Sequence, residues 1–229
     1  RAEWLSAPRR NSFELWANAR ESQQSRSVGA RYVSTGTIGY QDLDAYGSWS
    51  QEAEYGYVWR PTKLVVRDWA PYRYGRWVWV SPWGWTWVDD APWGFAPFHY
   101  GRWAYVRSRW CWVPGPARAR AIYAPALVAW AGDPRQRFNQ VGWFPLGPRD
   151  IYLPGYQATW RHFRGINAGP RFDDAALTDA YHGRHHNFDY RNRTAPHALT
   201  VVPQDTFKSG HRTRGAAVRV DANTAARWR

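Results

Sequence analysis

Two stretches decide the fold: WAPYRYGRWVWVSPWGWTWV at residues 69–88 and GFAPFHYGRWAYVRSRWCWV at residues 94–113. Gly75, Arg76 and Trp77 of the first match Gly101, Arg102 and Trp103 of the second at a spacing of 26, and Trp85 and Trp87 then match Trp110 and Trp112 at a spacing of 25. The lost residue falls where Ser81, Pro82, Trp83 and Gly84 face Arg107, Ser108 and Arg109, which predicts two β-hairpins with loops of different length. Within each copy the pattern alternates with period two. Trp77 and Trp79 point one way and Val78 and Val80 the other; Trp85 and Trp87 share a side opposite Thr86 and Val88. A weaker third copy precedes them, with Tyr46, Gly47, Ser48 and Trp49 as its start and residues 55–59 as its return strand.

Outward from the repeats, the apolar runs at 127–130 and 141–144 read as a further hairpin or pair of edge strands, and residues 151–153 as one more short strand. Six to ten short strands between Tyr46 and Tyr156 give a mainly β fold of Trp-rich hairpins, closed into a small barrel or arranged as stacked sheets. The flanks differ. Asn11 or Ser12 caps a helix through Phe13, Leu15, Trp16 and Ala19, with Glu14 in its first turn, and the helix is expected to fade in the polar run 21–27. Residues 161–229 carry 12 basic and 6 acidic side chains and 6 of the 7 histidines with little apolar periodicity, so a long extended tail is expected. Within it, residues 198–202 and 216–220 are candidate strands or docking segments, and a partner surface is the favoured support for the whole. The organisation read this way is an N-terminal segment 1–44, a Trp-rich domain 45–160 and a basic tail 161–229.

Composition sets further bounds. The 229 residues include 18 Trp, 14 Tyr and 9 Phe, enough apolar surface for a substantial core. A net charge of +13 attracts polyanions of many kinds. The single cysteine, Cys111, excludes an internal disulfide and a Cys-rich metal site, and its place between Trp110 and Trp112 makes it a buried small hydrophobe. No run of about 18 uncharged apolar residues occurs, so no membrane span is expected. The opening Arg-Ala-Glu-Trp does not read as a signal peptide, leaving a cytosolic chain or a mature piece whose leader has been cut. The motifs of standard α/β enzymes are missing: no Gly-rich strand-to-helix loop, no nucleophile elbow, no helical His pair with a Glu.

Individual residues point away from catalysis and cofactors. Asp89 and Asp90 sit at a turn, where they bond backbone N–H groups rather than share a reaction centre. His182, His185 and His186 are the only metal-like cluster, but Gly183 breaks the helix that would align them, so no metal is assigned. His99 reads as a structural bond to a loop carbonyl. Arg76 and Arg102, repeated beside Gly75 and Gly101 and ahead of Trp77 and Trp103, read as clips onto an indole or onto Asp68, Asp89 or Asp90. Together with Trp85 and Trp112 these residues form the structural repeat. For binding, the candidates are Trp79, Trp83, Trp87, Trp93 and Trp110 on the indole faces, with Arg191 and Arg193 in the tail.

The stretches YGYVWRP, YGRWVWVSPWGWTWVDDAPWGFAPFHYGRWAYV, RWCWVPG and VGWFPLGPRD resemble the bacterial Trp-rich family of unknown function DUF6600 across residues 45–156; ARYVSTGTIGYQDLDAYGSW, YRNR and TVVPQDTF extend the likeness. The resemblance implies export to the periplasm or cell surface, a FecR-like β-domain upstream in many members, and no established activity. On this basis the expected function is a non-enzymatic structural or protein-interaction component of the cell envelope, part of a multi-subunit assembly. The alternative is a module that binds a glycan or envelope polymer on exposed Trp platforms. Nucleic acid is not the expected partner.

Overall fold

The computed structural model describes residues 10–34, 36–62, 68–132, 139–168, 173–184 and 189–220. All three copies of the repeat are antiparallel hairpins: β1 (Gly47–Glu52) with β2 (Gly56–Pro61), β3 (Gly75–Val80) with β4 (Gly84–Asp89), and β5 (Arg102–Val106) with β6 (Arg109–Val113). Register places matching tryptophans opposite each other: Trp49 faces Trp59, Trp77 faces Trp87, and Trp103 faces Trp112. The loops differ as the spacing requires. Val80 opposes Gly84 across three residues, whereas Val106 opposes Arg109 across two, Arg107 and Ser108, both with the positive φ (50° and 62°) of a tight hairpin turn. The start of each copy needs its glycine. A Cβ on Gly47, Gly75 or Gly101 would collide with the return strand's carbonyl, that of Arg60, Val88 or Val113, and with the indole of Trp59, Trp87 or Trp112.

The hairpins do not assemble as one unit. β2 and β6 join through Trp59 and Trp112 into a four-stranded sheet ordered β1-β2-β6-β5, while β3 and β4 form a sheet of their own. A third sheet holds β7 (Val128–Ala131), β8 (Gln140–Pro145) and β9 (Thr200–Pro203), with Trp130 opposite Trp143. No barrel closes among the described residues. Irregular segments occupy the strand edges instead: Trp87 N–H donates to Pro125 O, Trp103 N–H to Leu146 O, Thr213 N–H to Gly75 O and Val218 N–H to Val201 O. The indoles of Trp59, Trp77, Trp87, Trp103, Trp112 and Trp143 are fully buried and meet in one core with Tyr72 and Phe98. Four buried indole N–H groups donate to main-chain oxygens, Trp59 to Leu43 O, Trp103 to Pro97 O, Trp112 to Tyr100 O and Trp143 to Tyr72 O, and that of Trp87 donates to Asp89.

Three expectations are corrected. Helix α1 (Ser12–Arg26), with a capping box between Asn11 and Glu14, does not fade at residue 21; Arg20 bonds Asp42 at 2.7 Å and Gln23 reaches Gln41 O, which holds its polar end. Residues 151–153 form no strand, because the Asn167 side chain accepts from Tyr152 N–H and donates to Tyr152 O in a strand's place. The segment after residue 160 is not an extended tail. It contains α3 (Trp160–Ile166), α4 (Asp174–Tyr181), β9 and α5 (Gln204–Lys208), and it buries Phe163, Leu177, Val201 and Val202 against the rest of the chain.

Candidate functional site

The indoles singled out for binding separate sharply. Trp87, Trp93 and Trp110 lie in the core, a correction that follows from their packing: Trp87 against Trp77 and Trp143, Trp93 on Phe98, and Trp110 on Tyr105. Trp83 is half-buried among Tyr123, Tyr156 and His162. Trp79 stands out at the hairpin tip, 68% exposed. It begins a row of rings through Trp85 and Phe207 to Trp130, with centroids 5.5, 4.4 and 5.6 Å apart in turn. Successive planes turn by 84°, 50° and 88°, so the row is an irregular ridge without parallel platforms. In the tail, Arg191 pairs with Glu54 at 3.0 Å and Arg193 is half-buried; between them Asn192 is buried and donates to Trp103 O and Pro145 O.

The two repeat arginines part company. Arg76 is exposed, and the acids proposed for it have other partners: Asp68 takes Tyr74 and Arg73, Asp89 takes Trp87 Nε1 and Ala91 N, and Asp90 takes Arg212. Arg102 points into the molecule and donates to Gly101 O (3.0 Å), Ile166 O (3.3 Å) and Asn167 Oδ1 (3.1 Å), with Asp150 O at 3.5 Å. These acceptors are all neutral oxygens. The carboxylate of Asp150 attracts it through space but is itself bonded to the backbone N–H groups of Gly147 and Arg191. Burial pulls the Arg102 guanidinium down to about 10, which leaves it cationic at neutral pH.

Arg102 lines an open cleft of about 530 Å³, within the span usual for ligand sites of roughly 300 to 1,000 Å³. Part of the lining comes from the turn at Arg31 and Tyr32, held where Asp44 accepts from Val28 N–H and Gly29 N–H, from Tyr55 between β1 and β2, and from Tyr57 in β2. Tyr57, 48% exposed, lies 4.4 Å from Tyr32, which lies 4.8 Å from Trp49, so the outer ring is backed by two more. The cleft is lined as well by the Pro114-Gly115-Pro116 exit from β6 and by Arg120. Four arginines line the cleft (31, 102, 120 and 149) against one carboxylate, Glu54, whose Oε1 is shared by Arg149 and Arg191 at 3.0 Å each. Arg31 and Arg120 have no ion pair among the described residues.

Sequence reasoning passed over Tyr32, Tyr57, Arg31 and Arg120. The signals available were the ARY and EYGY stretches and the ARAR run after Pro116, none of which predicts that they converge. Among the described residues no three of His, Cys, Asp or Glu are placed to hold a metal; His185 and His186 lie outside those residues. Cys111 is buried on the sheet face opposite Trp110 and Trp112, with Val58, Ala104 and Val113, and burial pushes its thiol up to about 11.

Fold and cleft together define a Trp-rich, mainly β protein with an open, arginine-lined groove. The model of the family of unknown function DUF6600 matches residues 40–150 of the chain. No curated protein and no solved structure matches it. No helix among the described residues is long and apolar enough to cross a membrane.

Proposed function

We propose that this protein is a non-enzymatic interaction module of the bacterial cell envelope, periplasmic or surface-exposed, whose cleft holds a segment of an anionic polymer. The observation that carries the reading is Arg102, a guanidinium lining the cleft whose contacts are all neutral oxygens. A half-buried cation with no carboxylate in contact favours an anion as its missing neighbour. Arg31 and Arg120 at the mouth add attraction that salt screens. Glu54, the one carboxylate of the cleft, is neutralised by two arginines and lacks a second acid to work with, which supports binding over hydrolysis.

The test is calorimetric titration with polygalacturonate, an acidic polysaccharide. Binding should weaken as salt rises and fall at least about tenfold in an Arg31→Glu, Arg120→Glu double variant with unchanged melting temperature. Binding that ignores both salt and the substitutions would remove the cleft from this reading.

Contact with a protein partner is a second reading, favoured by the Trp79 to Trp130 ridge, whose end rings are 68% and 47% exposed. Large exposed indoles are the side chains that dominate protein interfaces. Replacing both with Ser should then reduce crosslinking of the protein to neighbours in intact envelopes, and an unchanged crosslinking pattern counts against it.

A further inference from the structure

We infer that the unit recognised in the cleft is a carboxylated sugar ring, as in the uronic acid residues of an acidic polysaccharide, with its carboxylate toward Arg102 and Arg120 and an apolar ring face on Tyr57. This rests on the anionic-polymer reading and narrows it.

Charge alone would satisfy a polyphosphate, and such a ligand has no use for an aromatic wall. The cleft has one in the same lining as its arginines. Tyr57 presents an accessible ring, and its orientation is held from behind by Tyr32 at 4.4 Å and, beyond that, Trp49 at 4.8 Å from Tyr32. A rigid ring of this kind, with a negative π face, suits the C–H face of a pyranose. The interplanar angle of 36° between Tyr32 and Tyr57, at contact distance, leaves no slot between them for a flat base, so a stacked nucleotide is the poorer fit. Pro114, Gly115 and Pro116 add lining without charge. Polar reach comes from the guanidinium groups and the Ser34 hydroxyl, a set that matches a carboxylate and ring hydroxyls. The groove thus offers a charged end and an apolar face to one ligand unit, the combination that a uronate ring displays.

The experiment titrates the full chain with four probes of matched length: polygalacturonate, its fully methyl-esterified form, polyphosphate and oligodeoxythymidylate. Polygalacturonate is expected to bind at least about tenfold tighter than each of the others, and Tyr57→Ala to lose about tenfold for polygalacturonate while leaving polyphosphate unchanged. Tyr57→Phe should restore the affinity, since the ring face rather than the hydroxyl makes the contact. Equal binding of polyphosphate and polygalacturonate, both indifferent to Tyr57→Ala, would overturn the sugar assignment and leave the anion reading standing. Tight binding of the methyl ester would overturn the carboxylate, and tighter binding of the oligonucleotide would replace the sugar with a base. Binding of none of the four would remove the anion reading as well.

Discussion

His99 is 4% exposed, its ring packed on Tyr123 and Phe95, and its Nδ1–H donates to Ala124 O at 2.8 Å. Burial lowers its pKa from 6.5 to about 4, so the native state keeps it neutral where the unfolded chain takes up a proton. The unfolded state therefore binds more protons between about pH 6.5 and 4, and stability contributed through His99 is lost as pH falls through that window. The slope is at most about 1.4 kcal/mol per pH unit. In urea melts, wild type should lose stability on acidification from pH 7 to 4 more steeply than His99→Gln; parallel pH profiles would refute this. The bond to a loop carbonyl was legible in the sequence, but its depth was not, because it depends on residues 123–125 folding back over α2 (Ala96–His99). The same holds for Arg76 and Arg102. Identical local sequence placed them at one register position, and only the docking of residues 166–167 makes Arg102 an internal strut.

At the scale of the element, the hairpin is a self-contained unit: a glycine that lets the strands approach, a cross-strand Trp pair, and a loop whose length the spacing already specified. Period-two alternation made these units readable, down to the third copy, whose Trp49 faces Trp59. Exposure along a strand was not readable. Trp77 and Trp79 share a face, yet one is 1% and the other 68% exposed, because the strand runs out past the core. Trp77→Ala and Trp103→Ala should each cost about 3 to 5 kcal/mol in chemical unfolding, and Trp79→Ala no more than about 0.5 kcal/mol. Comparable losses at Trp77 and Trp79 would contradict the placement of the core edge.

At the scale of the whole molecule, a charge of +13 and a polar C-terminal third pointed to a chain that needs a partner to become ordered. The structure supplies internal support instead. β9 extends the sheet of β7 and β8 with Val201 and Val202 buried, and Thr213 ties to Gly75 and Arg73 across the base of the β3–β4 hairpin. In hydrogen-exchange mass spectrometry of the isolated chain, peptides covering residues 200–202 should be protected as strongly as those covering β8. Exchange within seconds there would restore the partner-dependent account. The segment was visible as a short apolar run, but its pairing partner lies about 60 residues earlier, and the cost of closing that loop is repaid only by contacts that no local pattern displays.

Sequence by itself determined the hairpins, their loop lengths, the inert cysteine and the capped first helix, since each depends on neighbours within a few residues whose sterics and hydrogen bonding are local. Tertiary structure alone decided that equivalent hairpins enter different sheets, that one repeat arginine is half-buried and the other exposed, and that tyrosines and arginines from five distant segments share a cleft. Those outcomes depend on how the buried indoles fill common space and which backbone edges the irregular segments cover. Both are properties of the assembled core, set by packing between residues far apart in the chain.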